Sequence, residues 1–479
     1  MTTRIGLEIH VQLTEAGTKL FCGCRSNYRG LEPNTNVCPV CLGLPGALPV
    51  PSRRAVLLGL AAAMALECRV PDAIVFTRKH YFYPDLPKNY QITQYEKVGG
   101  APVCMGGRLK YLDPEVWEWR SVGITRINLE EDPGRAMYGE EGILASRYAF
   151  IDYNRSGVPL LEIVTEPNVR SPRDARLLVE YLLLTLEYIG AVNPRLEGAF
   201  RVDANISVDG GERVEIKNIG STYDIEKALA YEEMRQKRLL ESGGTVKRET
   251  RHWDSVKGVT RPMRHKEEEE EYLYFPDPDL PPVIVTRGML EEAQRMSSVR
   301  PDRLLEEITG MNVKRELAWS IVTSRPATKL FLEVVKSGGD PIITARLLGI
   351  DYKGELREQR KDPGDPDNWP EPHVIARLVS LIKDGEYPYD AIKGLVLPRI
   401  AENPATPLDY VLPSKVLDPE RLVEDVIKSE TRAVRDYLSG KKQALNYLVG
   451  AAMRRARGRA VDPRILRRIL LEKLEALRD

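Results

Sequence analysis

The chain has 479 residues, with 70 basic and 70 acidic side chains and a hydrophobic fraction of 42%. This length is too great for one ordinary hydrophobic core, so we expect two or three domains. The balanced charge excludes a strong overall field for nucleic acid, and no run of about 20 apolar residues is present for a membrane span. The first residues lack the basic leader and apolar core of a secretory signal, which predicts a cytoplasmic protein with reduced thiols.

The first predicted element is a strand from Gly6 to Leu13, where apolar and polar residues alternate. A period of two places the side chains of a strand on opposite faces. The apolar face would hold Leu7, Ile9, Val11 and Leu13, and the polar face would hold Glu8, His10 and Gln12. Such a polar face fits either plain solvent or a functional site, and the strand alone does not decide between them.

Four cysteines follow this strand in two closely spaced pairs. They are Cys22, Cys24, Cys38 and Cys41. Two such pairs are typical of a tetrahedral Zn²⁺ site, and a closed site of four thiolates has no open position for catalysis. We therefore predict structural zinc at residues 22–41, with redox chemistry as the alternative. The remaining Cys68 and Cys104 are interpreted as ordinary apolar or loop residues.

An acidic run at residues 128–132 contains Glu130 and Glu131. By itself it is most simply an exposed turn. Together with Glu8 and His10 it becomes a candidate Mg²⁺ site, because Mg²⁺ binds carboxylate oxygens and substrate phosphates. The segment from Asp152 to Pro159 adds Asn154 and Arg155. No Gly-x-x-x-x-Gly-Lys-[Ser/Thr] loop is present, so a nucleotide would not be held in a P-loop.

Residues 199–208 and 213–217 repeat the alternation of the first strand. Their polar faces would hold Arg201, Asp203, Asn205, Ser207, Arg213, Glu215 and Lys217. Because opposed residues in a hairpin share a face, the connecting loop must be odd in length. A three-residue loop at residues 209–211 predicts Asn205 opposite Glu215 and Asp203 opposite Lys217.

From about residue 290 onward the sequence is nearly all helical in its apolar spacing. The clearest segments are Met289 to Met296, Pro301 to Thr309, Val313 to Ser324 and Pro326 to Ser337. A second boundary is expected near residue 403, where prolines precede another helical block. The predicted fold class is α+β, with a mixed α/β domain of amphipathic sheets, then a helical domain and a small helical tail.

Several strings are distinctive, and each is identified by its first residue. They are GLEIHVQL from Gly6, CPVCLGLPGALP from Cys38, RKHYFYPDLPKNYQ from Arg78, DYNRSGVPLLEIV from Asp152, EIKN from Glu215 and GKKQALNYLVG from Gly440. Together they resemble the GatB family, the B subunits of heterotrimeric GatCAB aminoacyl-tRNA amidotransferases, over nearly the whole chain.

The resemblance implies three domains and a reaction. The domains are a catalytic cradle at 1–290, a helical domain at 291–403 and a YqeY-like, tRNA-binding tail at 404–479. In the implied reaction, ATP phosphorylates the side-chain carboxylate of Glu-tRNA(Gln) or Asp-tRNA(Asn). Ammonia then displaces phosphate, giving Gln-tRNA(Gln) or Asn-tRNA(Asn).

The resemblance also implies roles for individual residues. The implied Mg²⁺ ligands are Glu8, His10, Glu131 and Glu215. The implied contacts to the phosphates of ATP are Lys79, Arg155, Arg201 and Lys217. The other catalytic candidates are Glu130, Asn154, Asp203 and Asn205.

The sequence departs from the family pattern at several positions. Asn128 and Tyr138 stand where His is common, Pro133 where Ala is usual, and Arg135 where Lys is usual. Leu273 replaces an Arg in the family's Asp-Tyr-Arg-Tyr-Phe-Pro string. Asn128 weakens the case for a metal ligand at that position. Another group must bind the anion that the missing Arg would bind.

The tail contains a basic amphipathic helix after Gly440. Its predicted apolar face is Leu445, Leu448, Val449 and Met453. The cations predicted to contact tRNA phosphates are Lys441, Lys442, Arg454, Arg455, Arg457 and Arg459. A plain basic, solvated helix is the alternative.

The sequence contains no Ser-rich and Gly-rich amidase signature, so the chain is not expected to hydrolyse glutamine. The resemblance implies an A-type amidase partner that releases ammonia into a channel, and a small C-type subunit that clasps both. Two other interpretations are the E-type subunit of the two-subunit archaeal amidotransferase, which carries an inserted domain, and a non-catalytic, zinc-stabilised tRNA-binding scaffold. The sequence does not decide between Glu-tRNA and Asp-tRNA.

Overall fold

The structure, a computed structural model, describes residues 1–138, 146–263, 272–412, 419–456 and 463–477. It forms two compact units, Met1–Pro301 and Asp302–Asp479. The first combines sheets with helices, and the described part of the second contains helices without strands, which confirms the predicted α+β class. The predicted domain limits at residues 290 and 403 remain predictions. No helix in these ranges is long and apolar enough to cross a membrane.

The strands of the first unit are β1 Thr3–Gln12, β2 Ala73–Ile74, β3 Thr77–His80, β4 Tyr90–Thr93, β5 Cys104–Asp113, β6 Glu118–Glu131, β7 Arg135–Tyr138, β8 Ala149–Asp152, β9 Pro159–Thr165, β10 Phe200–Val208, β11 Val214–Ile219, β12 Glu249–Asp254, β13 Val259–Pro262, β14 Phe275–Pro276 and β15 Val283–Ile284. Eight of them form one sheet in the order β13, β12, β11, β10, β1, β9, β6, β5. Strand β1 therefore lies in the interior of the sheet, antiparallel to both β10 and β9.

The apolar face of this sheet is buried, as the alternation in β1 predicts. The side chains of Leu7, Ile9, Val11 and Leu13 are at most 1% exposed. Three helices contact the sheet: α1 Arg53–Ala65, α2 Pro172–Tyr188 and α3 Thr222–Glu241. Each begins after a serine whose hydroxyl accepts a hydrogen bond from a backbone N–H of the first turn. The polar face of β1 is thereby left to the opposite side.

The β10–β11 hairpin has the predicted pairing of Asn205 with Glu215. Its loop is longer than predicted, because regular pairing ends at Ile206 opposite Val214. A β-bulge between Val202 and Ala204 interrupts the register at Asp203. The alternation of polar and apolar residues predicted which side chains share a face, but it did not predict the bulge.

The interpretation of Cys68 and Cys104 as ordinary residues was wrong, because the structure joins them in a disulfide with a Cα to Cα distance of 5.7 Å. Backbone hydrogen bonds from Arg69 N to Gly106 O and from Met105 N to Arg69 O hold the turn after α1 against the start of β5. The expectation of reduced thiols does not hold for this pair. The two cysteines are 36 residues apart in the sequence and come together through tertiary contacts, which their spacing alone does not reveal.

The remaining helices are α4 Arg287–Met296, α5 Pro301–Gly310, α6 Arg315–Val322, α7 Arg325–Lys336, α8 Pro341–Arg346, α9 Lys353–Glu358, α10 Pro372–Lys383, α11 Tyr389–Ala391, α12 Leu397–Glu402, α13 Leu408–Val411, α14 Pro419–Ser429, α15 Thr431–Leu438, α16 Ala444–Arg455 and α17 Pro463–Glu475. The four predicted helical segments correspond to α4, α5, α6 and α7, which confirms them. Two π-helical turns, Leu347–Tyr352 and Ile392–Val396, are joined by an ion pair between Asp351 and Lys393 at 2.8 Å.

Helices α14 to α17 share a hydrophobic core of their own. Leu445 and Leu448 belong to it, as predicted for the tail helix, and Val449 packs against it. Met453 does not, because it is 38% exposed. The buried stripe continues through Ala451 and Ala452 instead, which lie three and four residues after Leu448 and so on the same side of the helix.

Lys353 at the start of α9 provides a pH-dependent prediction. Its ammonium is buried and donates a hydrogen bond to the carbonyl of Ser320, and burial with Arg357 nearby lowers its pKa to about 7. Because the folded pKa lies below the unfolded one, the buried charge weakens the fold below pH 7, and this penalty vanishes as the pH rises towards 10.5. We expect Lys353→Met to raise the free energy of unfolding by several kcal/mol at pH 6 and hardly at all at pH 10.5, measured by denaturant titration.

The exposed Lys336 in the last turn of α7 supplies the control. Lys336→Met should change the free energy of unfolding equally and slightly at both pH values. An effect of Lys353→Met that is the same at pH 6 and pH 10.5 would contradict the burial argument.

Candidate active site and metal sites

The polar face of β1 is completed by its two neighbouring strands. Glu8 lies opposite Asp203 of β10, and His10 lies between Arg201 of β10 and Glu162 of β9. Directly opposed residues of adjacent strands project on the same side of the sheet. The three strands therefore present acid, imidazole and guanidinium groups on one surface, as the alternation indicated.

Three of these groups could hold one metal ion. The ligand atoms of Glu8, His10 and Glu162 all lie within 4.8 Å of one another. The His10 Nε2 atom is 3.4 Å from Glu8 Oε1 and 4.0 Å from Glu130 Oε1. Carboxylate and imidazole ligands of this kind suit a divalent cation. Glu162 was not predicted from the sequence, where its only signal is a polar residue within the apolar string of β9.

The electrostatics of this group also favour a cation. Burial, followed by the nearby carboxylate of Glu162, raises the pKa of Glu8 to about 7 and that of Glu130 to about 8. Burial and the charge of Arg201 lower the pKa of His10 to about 4, so its imidazole is neutral and can act as a ligand near pH 7. Crowded, buried carboxylates are costly to ionise unless a positive charge joins them.

Glu131 lies apart from this group. In β6 it follows Glu130, and the period of two points the two side chains to opposite faces. The Glu131 Oε2 atom accepts a hydrogen bond from Lys88 Nζ at 2.5 Å, and Oε1 accepts one from Ile92 N at 2.9 Å. The structure thus gathers Glu130 and Glu162 beside His10, and pairs Glu131 with Lys88.

Lys217 is enclosed by acids. Its Nζ atom lies 2.7 Å from Asp203 Oδ2 and 2.6 Å from Glu215 Oε1. Despite burial, these two carboxylates raise the pKa of Lys217. The positive charge of Lys217, which was predicted to bind a phosphate of ATP, is already paired with these carboxylates. Glu215, a predicted metal ligand, is in turn paired with Lys217.

Arg201 is held in place by a buried acid. Its Nη1 atom donates to Asp132 Oδ1 at 3.2 Å, while Gln12 donates to Asp132 Oδ2 at 2.7 Å. The Asp132 side chain is fully buried, whereas that of Arg201 is 36% exposed. Gln12 in turn accepts a hydrogen bond from Arg29 at 2.7 Å. A chain of polar contacts therefore holds one end of the Arg201 guanidinium, and part of the side chain stays accessible.

Two predicted site residues act as loop anchors in the structure. Asn154 is fully buried, accepts a hydrogen bond from Asn36 N at 2.7 Å and donates one to Glu32 O at 2.7 Å. The guanidinium of Arg155 donates to the carbonyls of Pro133 and Gly134. Lys79 of β3, by contrast, has its ammonium 4.6 Å from the ring centre of Tyr272.

The four cysteines of residues 22–41 converge as their spacing predicts. Their sulfur atoms all lie within 4.8 Å of one another. Around a tetrahedral Zn²⁺ ion, neighbouring sulfur ligands lie about 3.8 Å from one another, so the four cysteines fit the metal. A hydrogen bond with Cys22, set against burial, lowers the pKa of the Cys41 thiol to about 4.

The tail cations are partly engaged within the chain. Lys441 is 2.8 Å from Asp436, Arg455 donates to Asp425 O at 2.9 Å, and Arg454 stacks on Tyr447. Lys442 is exposed. Arg457 and Arg459 lie outside the described residues.

Comparison with known proteins gives a consistent picture. A model described as the GatB/GatE catalytic domain matches residues 3–291, and one described as the GatB domain matches residues 329–474. The aspartyl/glutamyl-tRNA(Asn/Gln) amidotransferase B subunit of Aeropyrum pernix is 65% identical over 99% of this chain and 98% of its own. Proteins of the same name from Sulfurisphaera tokodaii and Methanococcoides burtonii are 42% and 41% identical, each over 98% of both chains.

The chain belongs to the GatB family. Because these three relatives are each named as B subunits and are matched along almost their full length, the B type is favoured over the E type. Membership also gives meaning to Asn128, which stands where His is usual in this family. Its amide donates to Glu162 Oε2 at 3.0 Å, so in this GatB chain the residue orients a neighbouring carboxylate. The carbonyl of Leu273, another departure, lies 2.7 Å from His80 Nδ1.

Proposed function

We propose that this GatB chain catalyses ATP-dependent activation of the side-chain carboxylate of Glu-tRNA(Gln) or Asp-tRNA(Asn), followed by amidation with ammonia. The observation that carries the proposal is the group of Glu8, His10 and Glu162 beside Arg201. A surface of this composition suits a metal and phosphates, whereas a scaffold that only binds tRNA has no need for buried acids with raised pKa values.

The chemistry explains why such a site is needed. A carboxylate is a poor acyl donor, so its oxygen first attacks the γ-phosphorus of ATP and ADP leaves. Ammonia then attacks the acyl carbon of the resulting acyl phosphate, and inorganic phosphate leaves with the bonding electrons. Both steps depend mainly on positioning and on stabilising phosphate charge.

Individual residues take distinct parts in the proposal. Glu8, His10 and Glu162 would hold Mg²⁺, with Glu130 beside them. When bound, Mg²⁺ would neutralise phosphate charge and orient the transfer. Arg201, held by Asp132, would donate to a phosphate oxygen from a fixed position. Glu131 and Glu215 are supported as metal ligands only by the family resemblance.

The proposed reaction requires partner subunits, and the chain offers a second metal site. Ammonia would come from an A-type amidase subunit, with a small C-type subunit completing a cytoplasmic heterotrimer. The four cysteines would hold structural Zn²⁺. The exposed Lys442 and the neighbouring tail cations would contact the phosphates of the misacylated tRNA.

A reconstitution assay tests the ammonia route. With ATP, Mg²⁺, glutamine and misacylated tRNA, the purified chain should give no amidated product until the amidase partner is added, since it carries no glutaminase signature. Ammonium chloride should replace the partner, because free ammonia needs no glutaminase. Both Glu-tRNA(Gln) and Asp-tRNA(Asn) should be offered, and the aminoacyl products identified by mass.

The assay separates the alternatives. Product from glutamine with the chain alone would contradict the assignment of the glutaminase to a partner. Undiminished tRNA binding with no product under any ammonia source, even in the complete complex, would favour the scaffold interpretation.

A further inference from the structure

Lys19 is a fully buried lysine close to the four-cysteine site. Its side chain is 0% exposed. Its ammonium donates to Asn36 O at 2.8 Å, to Tyr153 O at 3.5 Å and to the Cys41 Sγ atom at 3.6 Å. An ammonium has three N–H donors, and these three contacts account for all of them. Within the described ranges, Lys19 forms no ion pair with a carboxylate.

A buried cation without an opposite charge is costly, because carbonyl oxygens replace only part of the hydration that is lost. The four-cysteine site can supply that charge. Four thiolates around Zn²⁺ leave two net negative charges, and Cys41 is the ligand that Lys19 contacts. The charges of the lysine and of a loaded site therefore complement each other inside the protein.

Lys19 also connects the cysteines to the loop before β9. Lys19 itself contacts Tyr153 O, and the backbone N–H of the neighbouring Leu20 donates to Gly157 O at 2.8 Å. Gly157 has a φ of +88°, and a Cβ there would lie 3.5 Å from both Cys41 and the Lys19 side chain. The loop between residues 153 and 157, which contains Asn154 and Arg155, is thus packed directly on the lysine and the cysteine.

We propose that Lys19 is the buried counter-cation of the four-cysteine metal site and couples occupancy of that site to the position of the 153–157 loop. The inference rests on zinc binding by the four cysteines. Lys19 acts as a positioning residue: it donates to a metal ligand and does not bind the metal itself. Partners of this kind commonly change metal affinity by about 10-fold to 100-fold.

The test compares Lys19→Met with wild type in the full-length chain. Zinc affinity, measured by competition with a chromophoric chelator, should fall about 10-fold to 100-fold in the variant. In the metal-free forms, Lys19→Met should lose less stability relative to wild type than in the zinc-loaded forms, because fewer negative charges then face the lysine. If Lys19→Met folds poorly, Lys19→Gln, which keeps a hydrogen-bond donor but not the charge, should show the same effects on zinc affinity and unfolding temperature.

Arg25→Met is the matched control. Arg25 is exposed and lies between the two cysteine pairs, so the variant loses the same charge near the site without losing the contact to Cys41. Its zinc affinity should equal that of wild type. A merely structural Lys19 would lower the unfolding temperature equally with and without zinc, and that result, or unchanged zinc affinity, would overturn the proposal. Wild-type protein that binds no zinc would instead remove the four-cysteine site itself and leave the amidation proposal intact.

Discussion

Glu162→Gln is expected to lower ATP-dependent amidation by the complete enzyme at least about 10³-fold. The change removes one of the charged groups next to His10. Loss of a charged group that holds the metal typically raises the activation free energy of a metal-assisted transfer by several kcal/mol. Affinity for misacylated tRNA should stay unchanged, because the cations predicted to contact tRNA lie in the other unit of the chain. The measurements are ADP release, amidated product and tRNA binding, each as a function of Mg²⁺ concentration.

Glu166→Gln is the control for this prediction, since Glu166 is an exposed residue of the same type just beyond β9. It should retain full activity. The Mg²⁺ dependence also separates two assignments of the metal site. If Glu131→Gln rather than Glu162→Gln raises the Mg²⁺ concentration for half-maximal activity, the assignment from family resemblance is correct and the geometric one is not.

Arg201→Met should lower kcat/KM for ATP by about 10² to 10³, because a positioned charged donor in a partly buried site stabilises charge that develops on transferred phosphate. Asp132→Asn should have a smaller effect of the same kind, since it loosens Arg201 without removing it. The two effects should not add in the double variant, because both act through one guanidinium.

Steady-state kinetics of the four proteins give the coupling, and unfolding temperatures show whether a loss is general. Arg4→Met, at an exposed position of β1, should leave kcat/KM unchanged. Fully additive losses for Arg201 and Asp132 would show that the hydrogen bond between them does not position the arginine for catalysis.

Much of the local structure follows from the sequence. The alternation in β1 predicts the buried apolar face of Leu7, Ile9, Val11 and Leu13, and the pairing of Asn205 with Glu215 follows from matching faces across a turn. Two cysteine pairs with suitable spacing converge as expected. Each of these depends on periodicity or on short separations along the chain.

Other features were not accessible in this way. The disulfide between Cys68 and Cys104 and the burial of Lys19 depend on contacts between distant segments. The hydrogen bonds by which Asn154 anchors the loop between the cysteine pairs were likewise not predicted, and its catalytic role stays a prediction. A polar residue in a motif has the same letter in either role, and only its partners distinguish them.

By itself, the sequence determined the α+β class, the polar face with Glu8 and His10, the cysteine cluster and the GatB resemblance, because local periodicity and motifs encode them. Only the tertiary structure decided which acids join His10. Insertion of β9 between β1 and β6 places Glu162 opposite His10 and leaves Glu131 with Lys88. Strand order is set by long-range packing, so a two-residue period can assign a face to each acid but cannot assign its neighbours.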